Sequence, residues 1–257
     1  MPFADIGSDR VFYAKHGSAT VLPPSQPIVF VHGAAGSHVV WGRQVRALGE
    51  ITRAVALDLP GHGRSSMPGR DSIEDYRKIV LGLLDTLGFE RAVIVGHSMG
   101  GGIAQSLALE HPDRVAGLGL VGTGARLRVL PAFLDGVKND LAHTARLVVE
   151  QSYAPSLDAA MRERAVSEFL ACPGTVTHGD FTACNQFDVM ARLSEIRAPT
   201  LVICGSLDRM TPAKYSEFLA SNIKNARLAL VDDAGHSVMI EKPDAVNQAL
   251  FDFMRTL

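Results

Sequence analysis

Short apolar segments alternate with longer amphipathic segments along most of the chain. Runs rich in Val, Ile and Leu occupy residues 11–15, 28–32, 53–58, 91–95, 117–121, 200–204 and 227–231. The later runs are apolar at nearly every position, which is typical of parallel strands covered on both faces of a sheet. The amphipathic segments predict helices that begin near residues 38, 72, 99, 211 and 242. This alternation predicts an α/β fold with right-handed crossovers.

The clearest predicted helix covers residues 72–87. Ser72 precedes Asp75 by three residues, as in a capping box, and Gly88 ends the segment.

The strand–helix rhythm is interrupted between residues 123 and 197. This segment predicts helices over 133–151 and 156–170, separated by loops such as CPGTVTHGD at 172–180. An insertion of this length in a compact fold is more typical of a cap over a site than of a linker. We therefore predict a core made of residues 1–122 and 198–257, with a helical cap over 123–197.

The stretch VGHSMGGG at residues 95–102 joins a predicted strand to a predicted helix. The spacing of Gly96, Ser98 and Gly100 is short enough to arise by chance, so its surroundings decide its meaning. A turn of this kind holds the serine at positive φ as a nucleophile elbow. Larger side chains in place of the glycines would collide within the turn. Ser98 is therefore the predicted nucleophile.

A nucleophilic serine needs a base and an acid that orients the base. His236 follows the last predicted strand, and Asp208 follows the strand at 200–204. The chain order Ser98, Asp208, His236 is one of the known orders of a catalytic triad. Asp232 and Asp233 are rival acids, although they are close to His236 in sequence. By contrast, His32 and His62 lie in glycine turns and are interpreted as donors that brace loops.

Acyl transfer also needs two N–H groups aimed at the developing oxyanion. The residue after the nucleophile, Met99, supplies one. The loop VHGAAG at 31–36 follows a predicted strand, and we assign the second donor to Ala34.

Five motifs in this order resemble those of the α/β-hydrolase superfamily: HGAAG (32–36), DLPGHGRS (58–65), GHSMGG (96–101), GSLDRMTP (205–212) and AGHSVMIEKP (234–243). The resemblance covers nearly the whole chain. It implies a mostly parallel eight-stranded sheet with one antiparallel strand, flanked by helices, and a helical cap after the sixth strand. It also implies the serine branch, because related epoxide hydrolases and haloalkane dehalogenases carry aspartate in place of Ser98.

The predicted function is hydrolysis of carboxylic esters or lactones with small to medium apolar acyl groups, through an acyl-enzyme on Ser98. Neither a metal nor an organic cofactor is expected. The cap should decide the choice of substrate, and His97, Phe133 and Phe187 are predicted to line the pocket.

Two other functions stay open on the same fold. Carbon–carbon bond hydrolases share the triad, and the resemblance implies that they often carry a basic cap residue and a tryptophan after the histidine. Here Ser237 follows His236, whereas Arg126 and Arg192 in the cap keep this alternative open. The other alternative is a small-molecule receptor without catalysis. GLGLVG at 117–122 fits a dinucleotide fingerprint only formally, because a helix precedes it and its glycines fall within a strand.

The balance of charged residues limits the kinds of molecule that the protein is expected to bind. The 257 residues include 25 basic and 27 acidic ones, which gives a formal charge of −2. This balance offers no reason to bind nucleic acid or a membrane surface, so we expect a small-molecule substrate and a monomer or homodimer. The first ten residues have no apolar core typical of a signal peptide. Cys172, Cys184 and Cys204 are expected to be free thiols in the cytoplasm.

Overall fold

The centre of the computed structural model, which describes residues 2–17 and 26–257, is an eight-stranded sheet. Its strands are β1 (Phe3–Ile6), β2 (Asp9–His16), β3 (Ile28–Val31), β4 (Ala54–Leu57), β5 (Ala92–His97), β6 (Val115–Val121), β7 (Thr200–Gly205) and β8 (Ala226–Val231). They lie in the order β1-β2-β4-β3-β5-β6-β7-β8, and β2 is antiparallel to both of its neighbours. All seven strands predicted from the sequence are present.

The eighth strand, which the resemblance implies but none of the seven apolar runs marks, is β1. It pairs with β2 through a two-residue loop, Gly7 and Ser8, and Gly7 has a φ of 60°. Glycine followed by serine between two strand-like runs is a hairpin signal, so the sequence did contain a cue.

Ten α-helices accompany the sheet among the described residues: α1 (Gly42–Leu48), α2 (Ile73–Thr86), α3 (Met99–Glu110), α4 (Pro131–Asn139), α5 (Leu141–Ser152), α6 (Ala159–Leu170), α7 (Gly174–Gln186), α8 (Ala213–Asn222), α9 (Val238–Glu241) and α10 (Pro243–Met254). As predicted, Ser72 caps α2 by accepting a hydrogen bond from the Asp75 N–H. No helix in the described part of the chain is long and apolar enough to cross a membrane. The three cysteines are buried and free.

The edge strand β8 differs from the prediction. Strands β3 to β7 are buried along their whole length, as expected for a sheet covered on both faces. In β8, however, Leu228 and Leu230 are 39% and 49% exposed. The prediction of two covered faces is wrong for this strand, which lies at the edge of the sheet, pairs with β7 alone among the described strands and leaves these two side chains partly open to solvent.

Helices α4 to α7 lie between β6 and β7 in the chain and share a hydrophobic cluster of their own. Ala35 of the core also belongs to this cluster, which shows that the inserted helices pack directly on the loop after β3.

Helix α7 contradicts the loop predicted at 172–180. Glycine, threonine and valine are weak helix formers, so the local sequence favours a loop. Packing against the core outweighs this preference. A Cβ on Gly179 would lie 2.6 Å from the Arg70 carbonyl oxygen, and one on Gly69 would lie 2.8 Å from the Val176 side chain. Small residues at both positions let α7 lie against residues 61–71.

Candidate active site

Ser98 lies in a strained turn between β5 and α3. Its φ and ψ are 51° and −116°, a conformation that costs a non-glycine residue about 1–3 kcal/mol. The neighbouring glycines explain how the turn fits: a Cβ on Gly96 would overlap the Gly100 carbonyl, and one on Gly100 would overlap the Val31 carbonyl. The strand–serine–helix turn has the geometry of a nucleophile elbow.

His236 and Asp208 follow the ends of β8 and β7 and form a buried pair. The distance from His236 Nδ1 to Asp208 Oδ2 is 2.9 Å. Asp208 Oδ1 accepts hydrogen bonds from the N–H groups of Met210 and Thr211, and the Thr211 hydroxyl donates to Oδ2 at 2.9 Å. Burial raises the pKa of Asp208, but His236 and the two hydrogen bonds from Thr211 together bring it below the usual value. The ionised carboxylate therefore holds the Nδ1 proton and leaves Nε2 as the basic nitrogen.

The rival acids do not contact His236. Asp232 and Asp233 are exposed, and the Asp233 N–H donates to the Ser206 hydroxyl. The carboxylate that the structure pairs with His236 is that of Asp208.

The loop after β3 brings backbone N–H groups to the elbow. A hydrogen bond of 3.1 Å from the Gly36 N–H to the Gly33 carbonyl closes a turn, and Ala35 within it has a φ of 54°. A Cβ on Gly33 would lie 3.1 Å from the Ser98 Cβ, so the loop and the elbow are in contact. The N–H groups of Ala34 and Met99 donate no hydrogen bond to any described residue. Both are free to bind an oxyanion.

A cavity of about 350 Å³ opens over Ser98. Ser98, His97, His236 and Ala34 are among its lining residues. Ser98 and His236 face the same space without being hydrogen-bonded to each other, and catalytic hydrogen bonds of this kind commonly tighten in the substrate complex. Mainly apolar side chains from the inserted helices and from the rest of the chain form the walls: Val39, Val40, Val148, Val149, Tyr153, Ala165, Phe169, Phe181, Met210, Met239 and Ile240.

The structure corrects two of the predicted pocket residues. Phe133 and Phe187 are not among the residues that line the cavity. Phe133 packs inside the cap, with its ring centroid 6.5 Å from that of Phe181. Phe187 follows α7 and packs against α3, where a Cβ on Gly102 would lie 3.4 Å from its ring. The packing of each helix, which the sequence does not specify, decides which aromatic side chains face the cavity.

His97 is among the residues that line the cavity, and it also contacts His236. Its Nε2 donates to the His236 carbonyl oxygen at 3.1 Å, and the two ring centroids are 4.6 Å apart. Burial and the proximity of His236 lower the pKa of His97 to about 3. The His97 ring is therefore neutral and braces the backbone of His236.

Sequence reasoning missed a second buried histidine–carboxylate pair. The distance from Oδ2 of Asp180, on α7, to His62 Nε2 is 2.8 Å, and both side chains are fully buried. Asp180 also accepts hydrogen bonds from the Tyr76 hydroxyl at 2.7 Å and from the Ala35 N–H at 2.9 Å. Its position within the segment predicted as a loop, 118 residues from His62, explains why no local pattern revealed it.

The two glycine-turn histidines brace loops as interpreted. His32 Nδ1 donates to the Gly33 carbonyl, and its Nε2 accepts from the Leu59 N–H. Burial and the nearby His62 lower the pKa of His32 to about 4. His62 Nδ1 donates to the Pro60 carbonyl at 3.0 Å. Burial lowers the pKa of His62, but Asp180 raises it well above the usual value, so His62 is a buried cation.

Similarity to known proteins identifies the family of this chain. Residues 26–243 match the family described by the alpha/beta hydrolase fold. The chain belongs to the alpha/beta hydrolase family. Within the family, RutD of Azorhizobium caulinodans, provisionally named a carbamate hydrolase, is 30% identical and covers 98% of both chains. A 2-hydroxy-6-oxononadienedioate/2-hydroxy-6-oxononatrienedioate hydrolase of Paraburkholderia phymatum is 31% identical and covers 95% of this chain and 91% of that protein.

Solved structures of alpha/beta hydrolases superpose over nearly the whole chain. An enol-lactonase from Burkholderia xenovorans LB400 has a TM-score of 0.92 at 27% identity and covers 99% of this chain and 100% of the other. A thermophilic esterase has a TM-score of 0.88 at 34% identity, with 99% and 97% covered. These relatives support a hydrolase of this fold.

Proposed function

We propose that this protein is a serine hydrolase that cleaves carboxylic esters or lactones of small to medium apolar acyl groups. The observation that carries the proposal is the apolar cavity of about 350 Å³, whose lining holds Ser98 on its elbow and His236 bonded to the buried Asp208. A nucleophile, a base and an orienting acid thus meet at a mainly apolar space of limited size.

In the proposed mechanism, His236 Nε2 takes the proton of the Ser98 hydroxyl as the oxygen attacks the carbonyl carbon. Asp208 supports the positive charge that develops on the imidazole. The N–H groups of Ala34 and Met99 bind the oxyanion, after which His236 protonates the leaving alcohol. Water then attacks the acyl-enzyme by the same steps and releases the acid.

The charges around the cavity favour neutral substrates. No lysine or arginine is among the described residues that line it. Cap residues Arg126 and Arg192 pair instead with Asp188 and with Glu110 and Glu195, while Arg43, Arg46 and Arg164 line an adjoining groove. Burying a carboxylate without a partner is costly. This favours ester or lactone cleavage over cleavage of a dioate, the substrate in the names of the carbon–carbon hydrolase relatives.

A series of p-nitrophenyl esters from acetate to palmitate tests the proposal. We expect the highest kcat/KM for short to medium chains, with a graded decline, because one methylene in an apolar pocket is worth roughly 1–3 kcal/mol. Ser98→Ala should abolish turnover. Equal rates along the whole series would contradict the proposed role of the cap.

Covalent labelling tests the nucleophile separately. A serine-directed organophosphonate should add one label to the wild type and none to Ser98→Ala. Ser216→Ala, which alters a buried serine of α8 outside the cavity, is the control and should still be labelled. Labelling of Ser98→Ala at the wild-type rate would contradict the assignment.

A further inference from the structure

Asp180 connects the cap to the oxyanion loop. It lies on α7, and its carboxylate is fully buried and receives three donors from the core: the Ala35 N–H, His62 Nε2 and the Tyr76 hydroxyl. Each donor belongs to a different segment of the core. Of these, the bond to Ala35 bears on the reaction, because Ala35 directly follows the candidate oxyanion donor Ala34.

The loop depends on this acceptor in two ways. Ala35 is 5% exposed and its N–H donates to the buried Asp180 carboxylate, so this N–H would lose its acceptor in a mostly buried place if Asp180 were absent. Its φ of 54° is unfavourable for alanine and is retained only where the surroundings enforce it. A turn with positive φ at this position fixes the peptide planes on either side of Ala34. The Asp180–Ala35 bond therefore helps to set the direction of the Ala34 N–H.

The position of Asp180 is itself fixed. His62 is held at its other nitrogen by the Pro60 carbonyl, and the Tyr76 hydroxyl also accepts a hydrogen bond from the Arg70 N–H. Because both partners are anchored to core loops, the carboxylate cannot shift without breaking several buried bonds.

We propose that Asp180 is a positioning residue for the oxyanion hole: from cap helix α7 it holds the Ala35 N–H and thereby aims the Ala34 N–H at the reacting carbonyl oxygen. This inference rests on the proposed serine hydrolase function. It makes the docking of α7 on the core a condition for full transition-state stabilisation, in addition to the part that the cap plays as a wall of the cavity.

Asp180→Asn is the principal variant. Oδ2 accepts from the Ala35 N–H and from His62 Nε2, and Oδ1 accepts from the Tyr76 hydroxyl. A neutral amide either turns its NH2 group toward Tyr76 or loses the bond to Ala35, and in both orientations it holds the loop less firmly than the carboxylate does. Loss of a whole oxyanion donor lowers turnover by about 10²- to 10³-fold, and a misaimed donor should have part of this effect. We expect kcat to fall about ten- to hundredfold with KM changed less than threefold.

Inhibition by an alkyl boronic acid separates positioning from a purely structural role. Its tetrahedral adduct with Ser98 uses the oxyanion hole, whereas ground-state binding does not. In Asp180→Asn, Ki should rise by about the same factor by which kcat/KM falls. Thr177→Val is the matched control, since Thr177 is buried one turn away on α7 and its hydroxyl donates to the Pro173 carbonyl, outside the group of residues around Asp180. It should change kcat and Ki by less than twofold.

A folded Asp180→Asn with kcat and Ki within twofold of wild type would overturn the inference. If this variant does not fold, Tyr76→Phe replaces it, because it removes one bond to Asp180 and keeps the others. We expect kcat to fall three- to tenfold with an equal rise in Ki, and an unchanged kcat would overturn the inference.

Rates of Ser98 phosphonylation give the same comparison without turnover. A wild type that neither hydrolyses esters nor reacts contradicts the proposed function, whereas equal reactivity of wild type and Asp180→Asn contradicts only this inference.

Discussion

Two buried histidine–carboxylate pairs of nearly equal length differ in what faces the second nitrogen of the imidazole. The pair of His236 and Asp208 is 2.9 Å long, and the pair of His62 and Asp180 is 2.8 Å long. His236 Nε2 has no hydrogen-bond partner among the described residues, and its ring borders the cavity. Both nitrogens of His62 are occupied, one by Asp180 and the other by the Pro60 carbonyl.

The comparison shows that the pair alone does not identify a base. A histidine can accept a proton only through a free nitrogen lone pair, and His62 has none because both of its nitrogens face acceptors. The protonated His62 ring therefore keeps its positive charge and holds the Asp180 carboxylate in place. The same two residue types thus supply the proposed base at one site and a buried ionic link at the other.

The largest expected effect comes from breaking the catalytic pair. Asp208→Asn should lower kcat by about 10⁴-fold at neutral pH, because the amide favours the wrong tautomer of His236. Rates with p-nitrophenyl butyrate, together with circular dichroism to show folding, measure this loss. Asp233→Asn, at an exposed carboxylate, is the control and should stay near the wild-type rate. An equal loss in Asp233→Asn with an active Asp208→Asn would mean that the acid is misassigned.

Breaking the pair of His62 and Asp180 should lower the free energy of unfolding. His62→Gln leaves Asp180 buried without its cation, which typically costs about 3–5 kcal/mol in the free energy of unfolding. Urea denaturation measures this cost. His16→Gln removes a comparable pair with Glu50, but there the side chains are 48% and 73% exposed, so the expected cost is below about 1 kcal/mol. Equal losses in the two variants would refute the view of His62 as a buried ionic link.

The two pairs also differ in how far the sequence reveals them. Ser98, Asp208 and His236 each follow the carboxyl end of a strongly apolar strand. Local patterns therefore place all three at the end of the sheet where the parallel strands have their carboxyl ends. Asp180 lies in a segment of weak helix formers whose helix exists because α7 packs against residues 61–71. Such packing depends on side chains distant in sequence, and no periodicity encodes it.

Packing between residues distant in sequence also explains why the residues that line the cavity could not all be predicted. The length of the insertion predicts a cap, but the face that each of its helices turns inward depends on contacts between helices. Phe181 faces the cavity from α7, whereas Phe187, just past the end of the same helix, packs against α3. The exposed side chains of β8 have a similar origin, because an apolar strand does not reveal whether it lies at an edge.

The two pairs should lose their contributions to stability in opposite directions of pH. The pKa of His62 is raised in the folded protein above the usual value of 6.5, so its stabilisation is complete below pH 6.5 and is lost as pH rises through the folded value. The pKa of Asp208 is lowered, so its contribution exists above pH 3.8 and is lost as pH falls through the folded value.

Urea denaturation of wild type and His62→Gln between pH 6 and pH 9 isolates the first effect. The gap in unfolding free energy between the two proteins should narrow as pH rises. His32, Tyr76 and Cys172 also surround His62 and are unchanged in the variant, so their own titrations largely cancel in the difference. Asp180 loses its cation in His62→Gln, so the gap is also measured against His62→Gln/Asp180→Asn, which lacks both charges. A gap that is constant or widens with pH would show that His62 is not the cation inferred here.

The smallest expected effect concerns one neutral donor at the catalytic pair. Thr211→Val removes the hydroxyl that donates to Asp208 Oδ2 and keeps the volume of the side chain, while the backbone N–H groups of Met210 and Thr211 still bind Oδ1. A single hydrogen bond to a charged group contributes about 1.5 kcal/mol or more, so kcat/KM should fall roughly tenfold. Kinetics with p-nitrophenyl butyrate measures the loss. Because Asp208 already has His236 and two backbone donors, a fall approaching that of Asp208→Asn would mean that the Thr211 hydroxyl, which also lies 3.2 Å from His236 Nδ1, acts on the base itself.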